Sequence, residues 1–119
     1  VNLLVVDEAS RVPDALYFSV RPMLAVSGGK LVALTTPWGK RGWFYEAWTG
    51  RDAWHRVKVS AFDCPRIPRD FLEEERRSMP DAWFRAEYLA DFTDADGAFF
   101  REDDIQRALS PEVAPLFPL

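Results

Sequence analysis

The chain has 119 residues, a mass of 13.7 kDa, one Cys and a formal net charge of -4. That length bounds it to one domain or part of a larger one, and 48% hydrophobic with 29% charged residues is globular composition, not that of a disordered tail. Cys64 has no second Cys to pair with, the lone His55 makes no metal case, and no apolar run reaches the roughly 18 residues of a membrane helix, so a soluble protein of a reducing compartment is expected. The chain opens at Val1 directly inside an apolar run and closes on the Pro-rich stretch Pro111 to Leu119, the expectation for a piece of a longer chain.

Charge is uneven. Residues 1–60 hold eight Lys/Arg against five Asp/Glu, and residues 61–119 hold seven against fourteen. Nucleic-acid binding needs a basic face to displace counterions from phosphates, and the second half cannot supply one. Any grip on DNA therefore lies mostly outside this chain.

Leu3-Leu4-Val5-Val6 is short, apolar and β-branched, the pattern of a parallel strand buried on both faces. Asp7-Glu8 ends it. Pro13 and Asp14 suit a helix start, Leu16, Tyr17, Val20, Met23 and Leu24 recur at helical spacing, and Pro22 predicts an end or kink near Val20. After the turn Ser27-Gly28-Gly29, the run Leu31 to Thr35 predicts a second buried strand. Strand, helix and strand make a βαβ unit with parallel strands, which places Asp7, Glu8, Thr35, Thr36 and Pro37 at the same carboxyl edge, where open parallel sheets bind ligands.

The loop Pro37 to Gly42 leads to an aromatic helix from about Trp43 to Trp48, stopped by Gly50, in which Phe44 and Trp48 pack at helical spacing. Trp54 to Phe62 alternates and predicts a third strand, followed by a two-proline connector, Cys64 to Pro68. Arg69 to Met79 reads as a charged helix whose Glu73-Glu74-Glu75-Arg76-Arg77 run carries internal ion pairs. Pro80 and Asp81 open another, with Phe84, Tyr88 and Phe92 four apart; Thr93 to Gly97 is a turn, Ala98 to Phe100 an extended stub, and Arg101 to Leu109 a last short helix.

A buried strand ending in Asp-Glu is the Walker B pattern. The Asp helps hold Mg²⁺ on nucleotide phosphates, usually through water, and the Glu is placed to orient or deprotonate the attacking water. Paired hydroxyls at the end of the next strand, 27 residues after Glu8, can bond those carboxylates or a γ-phosphate and pass the nucleotide state to the following loop. Lys40 and Arg41 in that loop are candidates for contact with DNA or a neighbouring subunit. Read without these roles, the same residues form a solvated strand end and turn.

Val5-Val6-Asp7-Glu8-Ala9, Thr35-Thr36-Pro37 with Gly39, Gly42 and Phe44-Tyr45, the segment Trp83 to Phe92, and Asp96-Gly97-Ala98-Phe99-Phe100 with Ile105 and Ala108-Leu109 occur in one order. Together they resemble the large terminase subunit of tailed bacteriophages, the ATP-driven motor and nuclease that packages DNA. The resemblance spans roughly residues 1–109. It implies an α/β fold, part of a P-loop NTPase-like parallel sheet with a C-terminal helical linker segment. Residues 1–92 would be the C-terminal portion of the ATPase domain and 93–119 a linker toward an absent nuclease domain. It further implies ATP and Mg²⁺ as cofactors, with Glu8 as the catalytic base, Asp7 on the metal, and Thr35, Thr36 and Pro37 in coupling. The implied partners are double-stranded DNA, a portal protein, a small terminase subunit and other large subunits in a ring, in the cytoplasm of a bacterial host and with no membrane.

The departures are specific. No phosphate-binding Walker A loop, G-x-x-x-x-G-K-[ST], is present: Gly28-Gly29-Lys30 runs into Leu31, and Gly39-Lys40-Arg41 lacks the form. The chain alone is therefore expected to be inactive. No nuclease residues are expected here, Asp103 and Asp104 reading as solvated. Two alternatives remain open at this level: a DEAD-like helicase or translocase fragment, on Asp7-Glu8-Ala9-Ser10 and Thr35-Thr36-Pro37, and a non-catalytic α/β binding module with an idle acidic pair.

Overall fold

The computed structural model describes residues 1–94 and 102–108. Two parallel strands, β1 (Leu3–Val6) and β2 (Lys30–Ala33), pair in the register Leu3 to Lys30 through Val6 to Ala33. Between them lie a 3-10 turn (Ala9–Arg11), helix α1 (Asp14–Val20) and a second 3-10 turn (Arg21–Leu24). Pro22 removes a backbone donor two residues after Val20, and the α-helix ends at Val20 as expected. Past the strand ends the ladder continues, Leu34 N–H donating to Val6 O at 2.9 Å and Ala9 N–H to Leu34 O at 3.1 Å. Gly29 permits the return into β2, because a Cβ there would lie 2.2 Å from the Val1 carbonyl oxygen.

Helix α2 (Gly42–Thr49) packs over α1, and its buried anchor is Trp43. The Trp43 and Tyr17 rings stack at 4.0 Å with planes 3° apart, above Ala9 and against Val6, Leu31 and Ala33. The indole Nε1–H donates to Val12 O at 3.1 Å, so the polar end of the ring is satisfied. Asp14 Oδ1 accepts the Trp43 backbone N–H at 2.8 Å, which caps α2 from a neighbouring helix. A second small core joins α3 (Arg69–Ser78) to α4 (Asp81–Leu89), where Leu72 and Phe84 are fully buried. Helix α5 (Glu102–Ala108) stands where a last helix was expected, while the stub Ala98 to Phe100 and the tail Pro111 to Leu119 lie outside the described residues.

Four expectations are corrected. The strands are not buried on both faces: Leu3 (53%), Val5 (51%), Val32 (41%) and Leu34 (51%) are exposed, because α1 and α2 cover only one side of the sheet. The stretch 54–60 is extended but joins no ladder, and Ala61–Asp63 is a 3-10 turn. Its Trp54 to Val59 side and the Leu31 to Thr35 side line a common cleft of about 570 Å³, and no ladder joins them. That stretch is held instead by side chains. The Arg56 guanidinium donates to the carbonyls of Ala47 and Gly50 at the C-terminal end of α2 and of Asp52 just beyond it, and Lys58 pairs with Asp91.

Phe92 does not continue the α4 stripe. Ala90 turns left-handed (φ 51°) and ends the helix, sending Phe92 against Tyr45 at 5.0 Å and Phe44 at 6.3 Å. On α3 the expected internal ion pairs give way to contacts with α4: Glu75 accepts a hydrogen bond from the Tyr88 hydroxyl at 2.7 Å, and Arg76 lies over the Phe84 ring. The bond to Glu75 raises the Tyr88 phenol above its usual range.

Candidate functional site

The carboxyl edge of the sheet brings together most of the residues singled out by sequence. β1 delivers Asp7 and Glu8 into solvent, and its next buried residue is Ala9, with no exposed surface. Glu8 is left-handed at φ 51°, ψ 39°, a conformation that costs a non-Gly residue roughly 1–2 kcal/mol. The strain is held on both sides. Asp7 Oδ1 accepts the Glu8 N–H at 2.9 Å, and the Ala9 N–H is fixed to Leu34 O. Strained backbone of this sort concentrates at functional sites, and here it aims a carboxylate out of a rigid turn.

The Thr35-Thr36 pair does not bond the carboxylates. Its partner is Ser10, which sequence reasoning passed over. The Ser10 N–H donates to Thr35 Oγ1 at 3.3 Å, the two hydroxyls lie 2.8 Å apart, and both reach the Thr36 carbonyl at 2.7 Å. Two hydroxyl protons serve three oxygen–oxygen contacts, so at any moment one of the three carries no proton. Thr36 enters this cluster through its carbonyl, not its hydroxyl. The turn after β1 and the loop after β2 are thus tied directly, by half-buried bonds worth about 1 kcal/mol each. A hydroxyl residue two positions after the acid pair, at the same sheet edge as Thr35, is the signal that could have found it.

Pro37 is buried and begins the loop to α2. Trp38 lies under the Arg11 guanidinium, 4.1 Å from its carbon to the ring centre, and meets Trp83 of α4 edge-on at 5.2 Å. Arg11 also lies 3.6 Å from Glu8 Oε2 and 3.2 Å from Glu87 Oε1. Lys40 turns back to pair with Asp94 at 2.9 Å, while Arg41 is exposed just before α2. Asp104 pairs with Arg107 at 2.8 Å on α5, and the Asp103 side chain lies outside the described residues. Among the described residues no three His, Cys, Asp or Glu side chains gather as a metal cluster. Asp7 and Glu8 place hard oxygen donors side by side at the strand end, the donor type that suits Mg²⁺, which takes only one or two carboxylates.

Away from the edge, two acids titrate low. Hydrogen bonds from the Ser60 hydroxyl and backbone, in a capping box, hold Asp63 below the usual carboxylate range. The hydrogen bond from Lys58 does the same for Asp91, against a smaller opposing effect of burial and with help from Arg85.

A parallel sheet whose adjacent strands end in an Asp-Glu turn and a paired Thr loop has the architecture of a P-loop NTPase-like ATPase domain. Residues 1–107 match the family described as terminase large subunit, T4likevirus-type, N-terminal, and the chain belongs to that family. It is 34% identical over 92 residues to the terminase large subunit of Escherichia phage T5, an alignment that covers 73% of this chain and 21% of the relative. It also superposes on the large terminase ATPase domain of Thermus phage P74-26 with a TM-score of 0.64, and on a mutant of that domain with 0.66. Each is 25% identical, and each match covers 78% of this chain and 44% of that one. The chain therefore spans about a fifth of the curated relative it matches. The family assignment sets the terminase reading above the helicase and binding-module readings. No helix among the described residues is long and apolar enough to cross a membrane.

Proposed function

We propose that this chain is the part of a phage DNA-packaging ATPase that runs from the Walker B strand, through the coupling loop, toward the linker before a nuclease domain. The boundary between ATPase and linker falls near residue 93. The observation that carries the reading is the edge where the strained Asp7-Glu8 turn and the Thr35-Thr36-Pro37 loop are tied through Ser10. Glu8 acts as the base that orients and deprotonates the attacking water. Asp7 holds Mg²⁺ through water, and the ion would supply charge neutralisation on the ATP phosphates when bound.

Any change in the Asp7-Glu8 turn reaches Thr36 through Ser10 and so reaches the loop to α2, which is coupling of hydrolysis to movement. Arg41 remains a contact for DNA or a neighbouring subunit, and Lys40 would serve there only by leaving Asp94. The phosphate-holding loop, the bulk of the DNA grip and the contacts to portal, small subunit and ring neighbours belong to the rest of the protein, working in the bacterial host cytoplasm.

The test is Glu8→Gln in the full-length protein. Loss of a positioned general base lowers turnover by about 10²- to 10⁴-fold, and ATP binding should be retained. Turnover above about half of wild type would remove Glu8 from that role.

A further inference from the structure

Arg11 touches this edge and has no part in the chemistry above. Arg11 sits three residues after Glu8, in the 3-10 turn, and its guanidinium faces three groups from three places in the fold. Nε lies 3.6 Å from Glu8 Oε2, Nη2 lies 3.2 Å from Glu87 Oε1 on α4, and the plane rests 4.1 Å above Trp38 in the coupling loop. On α4, Trp83 and Glu87 are four residues apart and share a face; Trp83 meets Trp38 while Glu87 meets Arg11. Single exposed ion pairs contribute little, and each of these side chains is a third or more exposed. One planar cation serving two carboxylates and an aromatic face is a different case, because each contact fixes the orientation used by the others.

We propose that Arg11 is a positioning residue for Glu8, holding the carboxylate in its outward aim and making that aim depend on where α4 sits. This rests on the reading of Glu8 as the base. A shift of α4 moves Glu87 and Trp83 together, drags the guanidinium, and changes the reach of Glu8. A displacement of a catalytic group by about 1 Å is enough to cost on the order of 10²-fold in rate. The segment after α4 leads on to Asp94, which holds Lys40 of the same coupling loop, so movement at this end of the chain has two routes to the sheet edge.

The experiment uses the full-length protein and steady-state ATP hydrolysis. Arg11→Gln should lower kcat about 10-fold while KM for ATP stays within about two-fold, the mark of a lost transition-state interaction rather than lost binding. Arg11→Lys, which keeps the charge but not the fork, should recover only part of kcat. Glu87→Gln, remote from the reacting atoms, should lower kcat about three-fold, and the double variant with Arg11→Gln should be no slower than Arg11→Gln alone, since the two act along one line. Glu87→Gln also carries the test should Arg11→Gln fail to fold. Wild-type kcat in Arg11→Gln, multiplicative losses in the double variant, or a wild-type kcat in Glu87→Gln would each overturn the proposal. Glu8→Gln assayed alongside separates the two ideas: high turnover there defeats the base itself, whereas an inactive Glu8→Gln with a normal Arg11→Gln defeats only the positioning role.

Discussion

Thr35→Val removes one hydroxyl at nearly constant shape, and it isolates the tie between the two strand ends. In the wild type Thr35 Oγ1 accepts the Ser10 N–H, shares a proton with Ser10 Oγ and donates to the Thr36 carbonyl. In the variant Ser10 Oγ still reaches Thr36 O, so that acceptor is kept. The Ser10 N–H loses its partner. An unsatisfied buried donor costs about 1–3 kcal/mol, and the half-buried setting places this one near the low end, about 1 kcal/mol. In a domain of the size expected for the whole ATPase that is a fall in melting temperature of about 2–4 °C.

The functional effect should be larger than the thermal one, because the loop from Pro37 to Gly42 loses its tether to the acid turn. ATP hydrolysis and DNA translocation measured on one preparation of the full-length protein should show translocation falling much further than hydrolysis. Thr36→Val is the control. Thr36 takes part through its carbonyl, which the substitution leaves in place, so both activities should stay near wild type. If Thr36→Val matched or exceeded Thr35→Val in uncoupling, the Ser10–Thr35 tie would not be the transmitting element.

The isolated 119-residue chain should bind Mg-ATP weakly and hydrolyse none, having no phosphate loop; turnover above background that Asp7→Ala abolishes would contradict this. Trp43→Ala should destabilise by about 3–5 kcal/mol, since it empties the stack on Tyr17 and frees the Val12 carbonyl, and a loss under about 1 kcal/mol by denaturant titration would show that Trp43 is not the anchor. Asp91 has its pKa lowered in the fold by Lys58, so its contribution is complete above the unfolded value of about 3.9 and disappears as pH falls through the lower folded value. Asp91→Asn should therefore flatten the acid limb of melting temperature against pH below about 4, and an unchanged limb would exclude Asp91 as a source of it.

The parallel pair and the grouping of Asp7, Glu8, Thr35 and Thr36 were legible in the sequence because they follow from local patterns: apolar runs of strand length, a helix between them, acids and hydroxyls just past their ends. What was not legible depends on the third dimension. The periodicity of Trp54 to Phe62 is that of a strand, yet alternation cannot say whether a partner lies within bonding distance. Helical spacing put Phe92 on the α4 stripe, and one left-handed residue, Ala90, sent it to α2. Phe44 and Trp48 stack as their spacing suggested, and Trp43 in addition meets Tyr17 of α1. Arg85 finds Asp91 across the left-handed turn at Ala90, whereas the partner of Glu87, Arg11, is set by how α4 docks. Glu87 and Arg11 are 76 residues apart, beyond any local rule.

The bare side of the sheet governs how this segment behaves in a tube. Leu3, Val5, Val32 and Leu34 lie half-exposed on neighbouring strands, next to an unpaired outer edge of β2. Lys30 is the only charged residue along β2 that resists strand addition. Two copies meeting there would cover oily surface and gain a backbone ladder at once, so the isolated segment should self-associate increasingly with concentration, as sedimentation would show. A single Val32→Lys change would place a second charge on that strand and turn a sticky edge into a repelling one.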